Sequence, residues 1–81
     1  MAYGKKPGAL ANAAVAIIRA EYERQGLNQT KLAERSGISQ SQVSRIFLGV
    51  RTMDVDQLQG MCDALNLNFI DVLTEAEERS R

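Results

Sequence analysis

The stretch Asn28 to Gly49, NQTKLAERSGISQSQVSRIFLG, decides the fold, because two short helical patterns meet in it at a single glycine. The first pattern carries Leu32 and Ala33 on its apolar side, and the second carries Ile38, Val43, Ile46 and Phe47. Gly37 stands between them, where a turn directly after a helix demands a positive φ. Ala33 is small where two helices packed at a steep angle approach one another. Ser39 supplies an N-cap for the second helix, and Gln42, three residues on, occupies the capping-box position. The second helix, at about 39–48, therefore has a defined start, and Gly49 closes it.

The same start signal recurs outward from this stretch. An apolar residue, a cap and a second apolar residue five positions after the first appear as Leu27, Asn28, Leu32; as Ile38, Ser39, Val43; as Met53, Asp54, Leu58; and as Leu67, Asn68, Val72. Each set has the form of a hydrophobic staple across an N-cap. Before them, Leu10, Ala14, Ile17, Ile18 and Tyr22 follow helical spacing and give a first helix that ends before Gly26. A fourth helix is expected from about Asp54 to Leu65, with Leu58, Met61, Cys62 and Leu65 inward and Asn66 in a left-handed cap. Gly60 inside it costs about 1 kcal/mol relative to alanine, which points to close packing at that position. The last helix buries Phe69, Val72, Leu73 and Ala76. The expectation is an all-α, compact five-helix domain at 9–76, with a flexible basic arm at 1–8 and a frayed charged tail at 77–81.

Composition narrows what such a chain does. Eighty-one residues make one small domain with limited apolar area to bury, and a dimer would add to it. Phe69, Val72 and Leu73 offer the surface for that contact. No stretch approaches the eighteen apolar residues of a membrane span. Lys5 and Lys6 followed by Ala9 to Ile18 have the outline of a leader, yet Asn12 interrupts the apolar part and no convincing cleavage site follows. Cys62 stands alone, so an internal disulfide is impossible and a reducing cytoplasm is the expected setting. Histidine is absent, which removes His-based triads and imidazole metal sites, and one cysteine cannot build a thiolate zinc site. Asp54 and Asp56 have the positions of first-turn dipole partners, not of an acid/base pair. The reading is of a chain without catalytic residues, metal, cofactor or evident small-molecule ligand.

Charge is balanced overall but not along the chain. Residues 1–53 hold eight Lys or Arg and three Glu, a net +5, whereas residues 54–81 hold two Arg and seven acids, a net −5. A basic front half containing the glycine-joined helices suits a face that meets phosphate. With Val43, Ile46 and Phe47 inward, the second helix turns Gln40, Ser41, Ser44 and Arg45 outward. Glutamine can pair with N6 and N7 of adenine and arginine with O6 and N7 of guanine in a major groove. Asn28 and Gln29 stand at the N-terminus of the preceding helix, where free N–H groups and the helix dipole attract an anion. Arg51 and Thr52 follow the second helix and can hold the backbone at its far end, with Lys5 and Lys6 of the arm as further candidates.

At these residues the chain resembles the helix-turn-helix of the Cro and phage-repressor (Xre-like) family of transcriptional regulators. The likeness runs from about Leu10 to Leu73. It implies a lambda-repressor-like fold in a phage or bacterial cytoplasmic protein, associated with the nucleoid through double-stranded operator DNA that it binds as a homodimer. It also implies that Gln29 and Gln40 pair with one another, that Gln40 and Ser41 occupy base-contacting places, and that Arg45 lies one turn further on. Leu48 departs from the pattern, which often has a polar residue before the closing glycine. Two alternatives share these residues: an antitoxin whose acidic rear half neutralises a toxin, and an interaction module that has lost DNA binding.

Overall fold

A computed structural model describes residues 8–81; the arm residues 1–7, Lys5 and Lys6 among them, lie outside the described part. Five helices follow in order: α1 (Ala9–Arg24), α2 (Gln29–Ser36), α3 (Gln40–Phe47), α4 (Val55–Ala64) and α5 (Phe69–Arg79). The described residues contain no strand. All four expected N-caps form. Asn28, Ser39, Asp54 and Asn68 sit in extended backbone, and each side chain accepts an N–H three residues on, from Lys31, Gln42, Gln57 and Asp71. Each bond satisfies one of the donors that a helix start leaves without a partner.

The stops are as local as the starts. Gly37 takes φ +76° and its N–H reaches Ala33 O, while Gly49 takes φ +77° after α3. Asn66 adopts φ +59° after α4, as its short polar side chain allows. Behind these ends, Ala14, Ile18, Leu32, Val43, Ile46, Met61, Cys62, Leu65, Val72 and Ala76 close into one core with contributions from every helix. Among the described residues no polar or charged side chain is buried, so the chemistry of the domain lies on its surface.

Gly60 explains itself by its neighbour. A Cβ added there would stand 2.8 Å from the backbone oxygen of Ser36, the last residue of α2. The glycine lets α4 press against the end of α2, which holds the turn into α3. Burial of Cys62 pushes its thiol pKa up, as for a small core residue.

Three expectations are corrected. The tail at 77–81 does not fray: α5 continues to Arg79, and Glu75–Arg79 and Glu77–Arg81 ion pairs form with the acid N-terminal to the base, the favourable i,i+4 order. Leu10 shares the helical period of the core but stays half exposed, at the rim of a shallow apolar depression with Met53, Val55, Leu58 and Leu73. Val72, expected at a dimer contact, is 3% exposed and belongs to the monomer's own core. Phe69 and Leu73 are only partly buried, and Ile70 is the large apolar residue of α5 left exposed, at 63%.

Candidate nucleic-acid interface

α2 enters the site through Asn28, whose Oδ1 accepts the Lys31 N–H at 2.8 Å and thereby fixes where the helix begins. Gln29 follows as its first residue, half buried. At the other end the Ile38 N–H bonds Ser36 Oγ at 3.3 Å, and Ile38 turns into the core. Leu32 and Val43, both fully buried, then hold α2 against α3.

The inward set of α3 is Val43, Ile46 and Phe47, as the spacing predicts. Gln40, Ser41 and Arg45 are therefore exposed and Ser44 half buried, all four within one stretch of helix surface. None of these side chains is engaged in a hydrogen bond or ion pair with another described residue. Gln42 is different. Only half of the expected capping box forms at α3: Ser39 Oγ accepts the Gln42 N–H at 3.3 Å, but the Gln42 side chain faces α4 and accepts from Gln57 Nε2 at 3.5 Å. The complete box belongs to α4, where Asp54 Oδ1 accepts the Gln57 N–H at 2.7 Å and Gln57 Oε1 accepts the Asp54 N–H at 3.1 Å. Gln57 thus uses its oxygen to start α4 and its nitrogen to steady α3.

The Gln29–Gln40 pair implied by the family resemblance is not formed among the described residues. Gln40 is exposed, and the glutamine contact made by α3 runs through Gln42 to α4.

Beyond α3 the backbone ends in a Schellman arrangement: the Gly49 N–H bonds Ile46 O at 3.1 Å and the Val50 N–H bonds Arg45 O at 3.1 Å. Arg51 and Thr52 follow, both exposed. Leu48, where a polar backbone contact was in question, is 72% exposed and supplies no donor side chain. Ion pairing then separates the cations. Arg19, Arg24, Lys31, Arg79 and Arg81 each face a carboxylate, whereas among the described residues Arg35, Arg45 and Arg51 form no salt bridge. All three lie in or directly after the helix pair. Arg35 is one that the sequence reading passed over, because its lack of a partner shows only in three dimensions.

α1 contributes supports that sequence alone did not reveal. Arg19 Nη1 donates to Phe47 O at 3.2 Å, and the Tyr22 ring meets Phe47 edge-on, with centroids 5.2 Å apart and planes at 74°. Gln25 Nε2 donates to Leu65 O at 2.9 Å and to Glu21 at 2.7 Å. Arg24 and then Gln25 hold the Glu21 carboxyl down to about 2.

With this geometry in view, comparison with known proteins gives a consistent answer. The helix-turn-helix family model matches residues 18–72. Two structures of the clp gene regulator ClgR from Corynebacterium glutamicum are similar: one at 30% identity, TM-score 0.75, over 88% of this chain and 76% of that one, and the other at 29% identity, TM-score 0.74, over 89% and 94%. The wild-type restriction-modification controller protein C.Esp1396I shares the fold, at TM-score 0.76 and 19% identity over 89% of this chain and 97% of that one. No curated protein sequence matches. A model that spans most of the chain, laid over the two helices and glycine turn just described, shows that the chain belongs to the helix-turn-helix family of Cro-like and Xre-like regulators.

Proposed function

We propose that the chain is a transcription regulator that binds operator DNA sequence-specifically, with α3 in the major groove and two copies related by a two-fold axis. The observation that carries this reading is the outward face of α3, where Gln40, Ser41, Ser44 and Arg45 have no partner among the described residues while the adjacent Gln42 meets Gln57. A merely solvated helix face more often carries Glu and Lys, which have strong helix propensity, whereas this one carries Gln, Ser and Arg. A base edge offers each of them a partner. Arg51, Thr52 and the N-terminus of α2 at Asn28 and Gln29 flank that face with donors for phosphate, and Lys5 and Lys6 would extend it.

Scale supports the two-fold arrangement. The domain measures 30 × 28 × 18 Å, and α3 has eight residues, about 12 Å of helix. One such helix covers one half-site, and two half-sites about 34–36 Å apart lie beyond the reach of a single domain. With Val72 in the core, the contact between copies falls to Ile70 and the partly exposed edges of Phe69 and Leu73. The similarity to ClgR, described as a clp gene regulator, supports transcriptional control as the outcome of binding.

Selection of bound duplexes from a random library tests the reading. Enrichment of two inverted half-sites about one helical turn apart is expected. A bound pool as random as its input would overturn it.

A further inference from the structure

Eight residues form a helix too short to hold its own shape in water, so the pose of α3 depends on its buried face and on what grips its ends. Its start is gripped by the Ser39 cap and by Gln57. Its end can be accounted for carbonyl by carbonyl. Ser44 O accepts the Leu48 N–H at 2.9 Å, Arg45 O the Val50 N–H and Ile46 O the Gly49 N–H, each at 3.1 Å. Phe47 O, the last, takes its donor from a different helix: Arg19 Nη1 at 3.2 Å.

Arg19 reaches Phe47 twice. Besides donating to the carbonyl, its guanidinium carbon lies 5.5 Å from the centroid of the Phe47 ring, within cation–π range. Glu23, one turn further along α1, holds the other side of the group, with Arg19 Nε 3.8 Å from Glu23 Oε2. A cation near a helix C-terminus also interacts favourably with the dipole. α1 packs chiefly on α5 and touches α3 much less, so Arg19 and the Tyr22 edge contact are the links from α1 that reach the last turn of α3 besides its buried Ile46 and Phe47. That turn contains Ser44 and Arg45.

We propose that Arg19 is a positioning residue for base readout: it fixes the last turn of α3, and so the aim of Arg45 and Ser44, without itself contacting DNA. The proposal rests on the DNA-binding reading above. Recognition groups have to be held within about 0.5 Å and 10–20° of their productive geometry, which gives a single clamp on the final carbonyl leverage over specificity.

The test uses Arg19→Met and Arg19→Lys in the full chain, at temperatures where circular dichroism shows both folded. In the free proteins, amide exchange at Gly49 and Val50 should quicken about tenfold in Arg19→Met, and less in Arg19→Lys, which keeps a charge but not the flat stacked fork. On DNA, Arg19→Met should lose about tenfold on the selected duplex and little on a scrambled one, with an unchanged salt slope. Equal loss on both duplexes with a slope lower by about one unit would assign Arg19 to a phosphate and overturn the proposal. Unchanged exchange at Gly49 and Val50 would overturn it whatever DNA shows, as would unchanged discrimination between duplexes despite faster exchange. Failure of the underlying reading is separately visible, because it would appear as a wild-type protein that does not distinguish the two duplexes.

Discussion

The base-reading role proposed for Gln40 and Arg45 differs from the backbone role proposed for Arg51, and substitutions should separate them. Gln40→Ala and Arg45→Ala each remove an outward group from α3 while leaving Val43, Ile46 and Phe47 in the core. Each should cost about 1–3 kcal/mol on the selected site and relax preference at particular base pairs, with little change in thermal stability. Arg51→Ala, beyond the closing glycine, should weaken binding to all duplexes alike and reduce the salt slope by about one unit. Gly60→Ala is a stability experiment with the opposite character. Alanine gains about 1 kcal/mol of helix propensity, but its Cβ would meet the Ser36 backbone oxygen at 2.8 Å, and backbone cannot swing aside. A net destabilisation of about 1–3 kcal/mol in urea unfolding is expected; a stabilised variant would show that α2 and α4 separate freely.

Among the elements, α1 is a strut and its charges give it a pH signature. The Glu21 carboxyl is held down to about 2 by Arg24 and Gln25, against a usual 4.5. Its folded-state pKa is depressed, so its contribution to stability is complete above 4.5 and drains away as pH falls toward about 2. The stability gap between wild type and Glu21→Gln should therefore narrow across that window, and a gap that stays constant would mean the carboxylate form is not favoured by folding. The helix ends of the other elements were legible in the sequence because each cap spans four residues: Asn28, Ser39, Asp54 and Asn68 announce themselves locally. Their partners across space did not. Gln57 meets Gln42 from 15 positions away, Arg19 meets Phe47 from 28 and Gln25 meets Leu65 from 40, and no period or spacing encodes such contacts. The α5 extension was legible in principle, since Glu75–Arg79 and Glu77–Arg81 are i,i+4 pairs, but an all-polar run has no apolar period to announce a helix. Val72 shows the reverse failure. Apolar spacing marks a buried face without saying whether the domain or a second copy buries it.

At the scale of the whole molecule, charge divides along the chain. Residues 1–53 carry a net +5 and contain α1 to α3, while residues 54–81 carry a net −5 and contain α4 and α5. The acidic half keeps its two arginines paired, and the arginines without a salt bridge among the described residues, Arg35, Arg45 and Arg51, lie in or after α2 and α3. Such a division fits the proposed phosphate contacts of the basic half. Sedimentation should find two copies on each palindromic duplex, and Ile70→Glu should shift that complex toward one copy without unfolding the domain, since Ile70 lies outside the core. The central claim is that α3 reads bases while the surrounding donors hold the backbone. It is tested most directly by measuring wild-type affinity for the selected duplex and for its scrambled counterpart across about 50 to 200 mM salt. Both affinities should fall, with a slope of roughly 0.9 per phosphate neutralised, while the selected duplex keeps its advantage throughout. Equal affinity for the two duplexes, or binding indifferent to salt, would contradict the account.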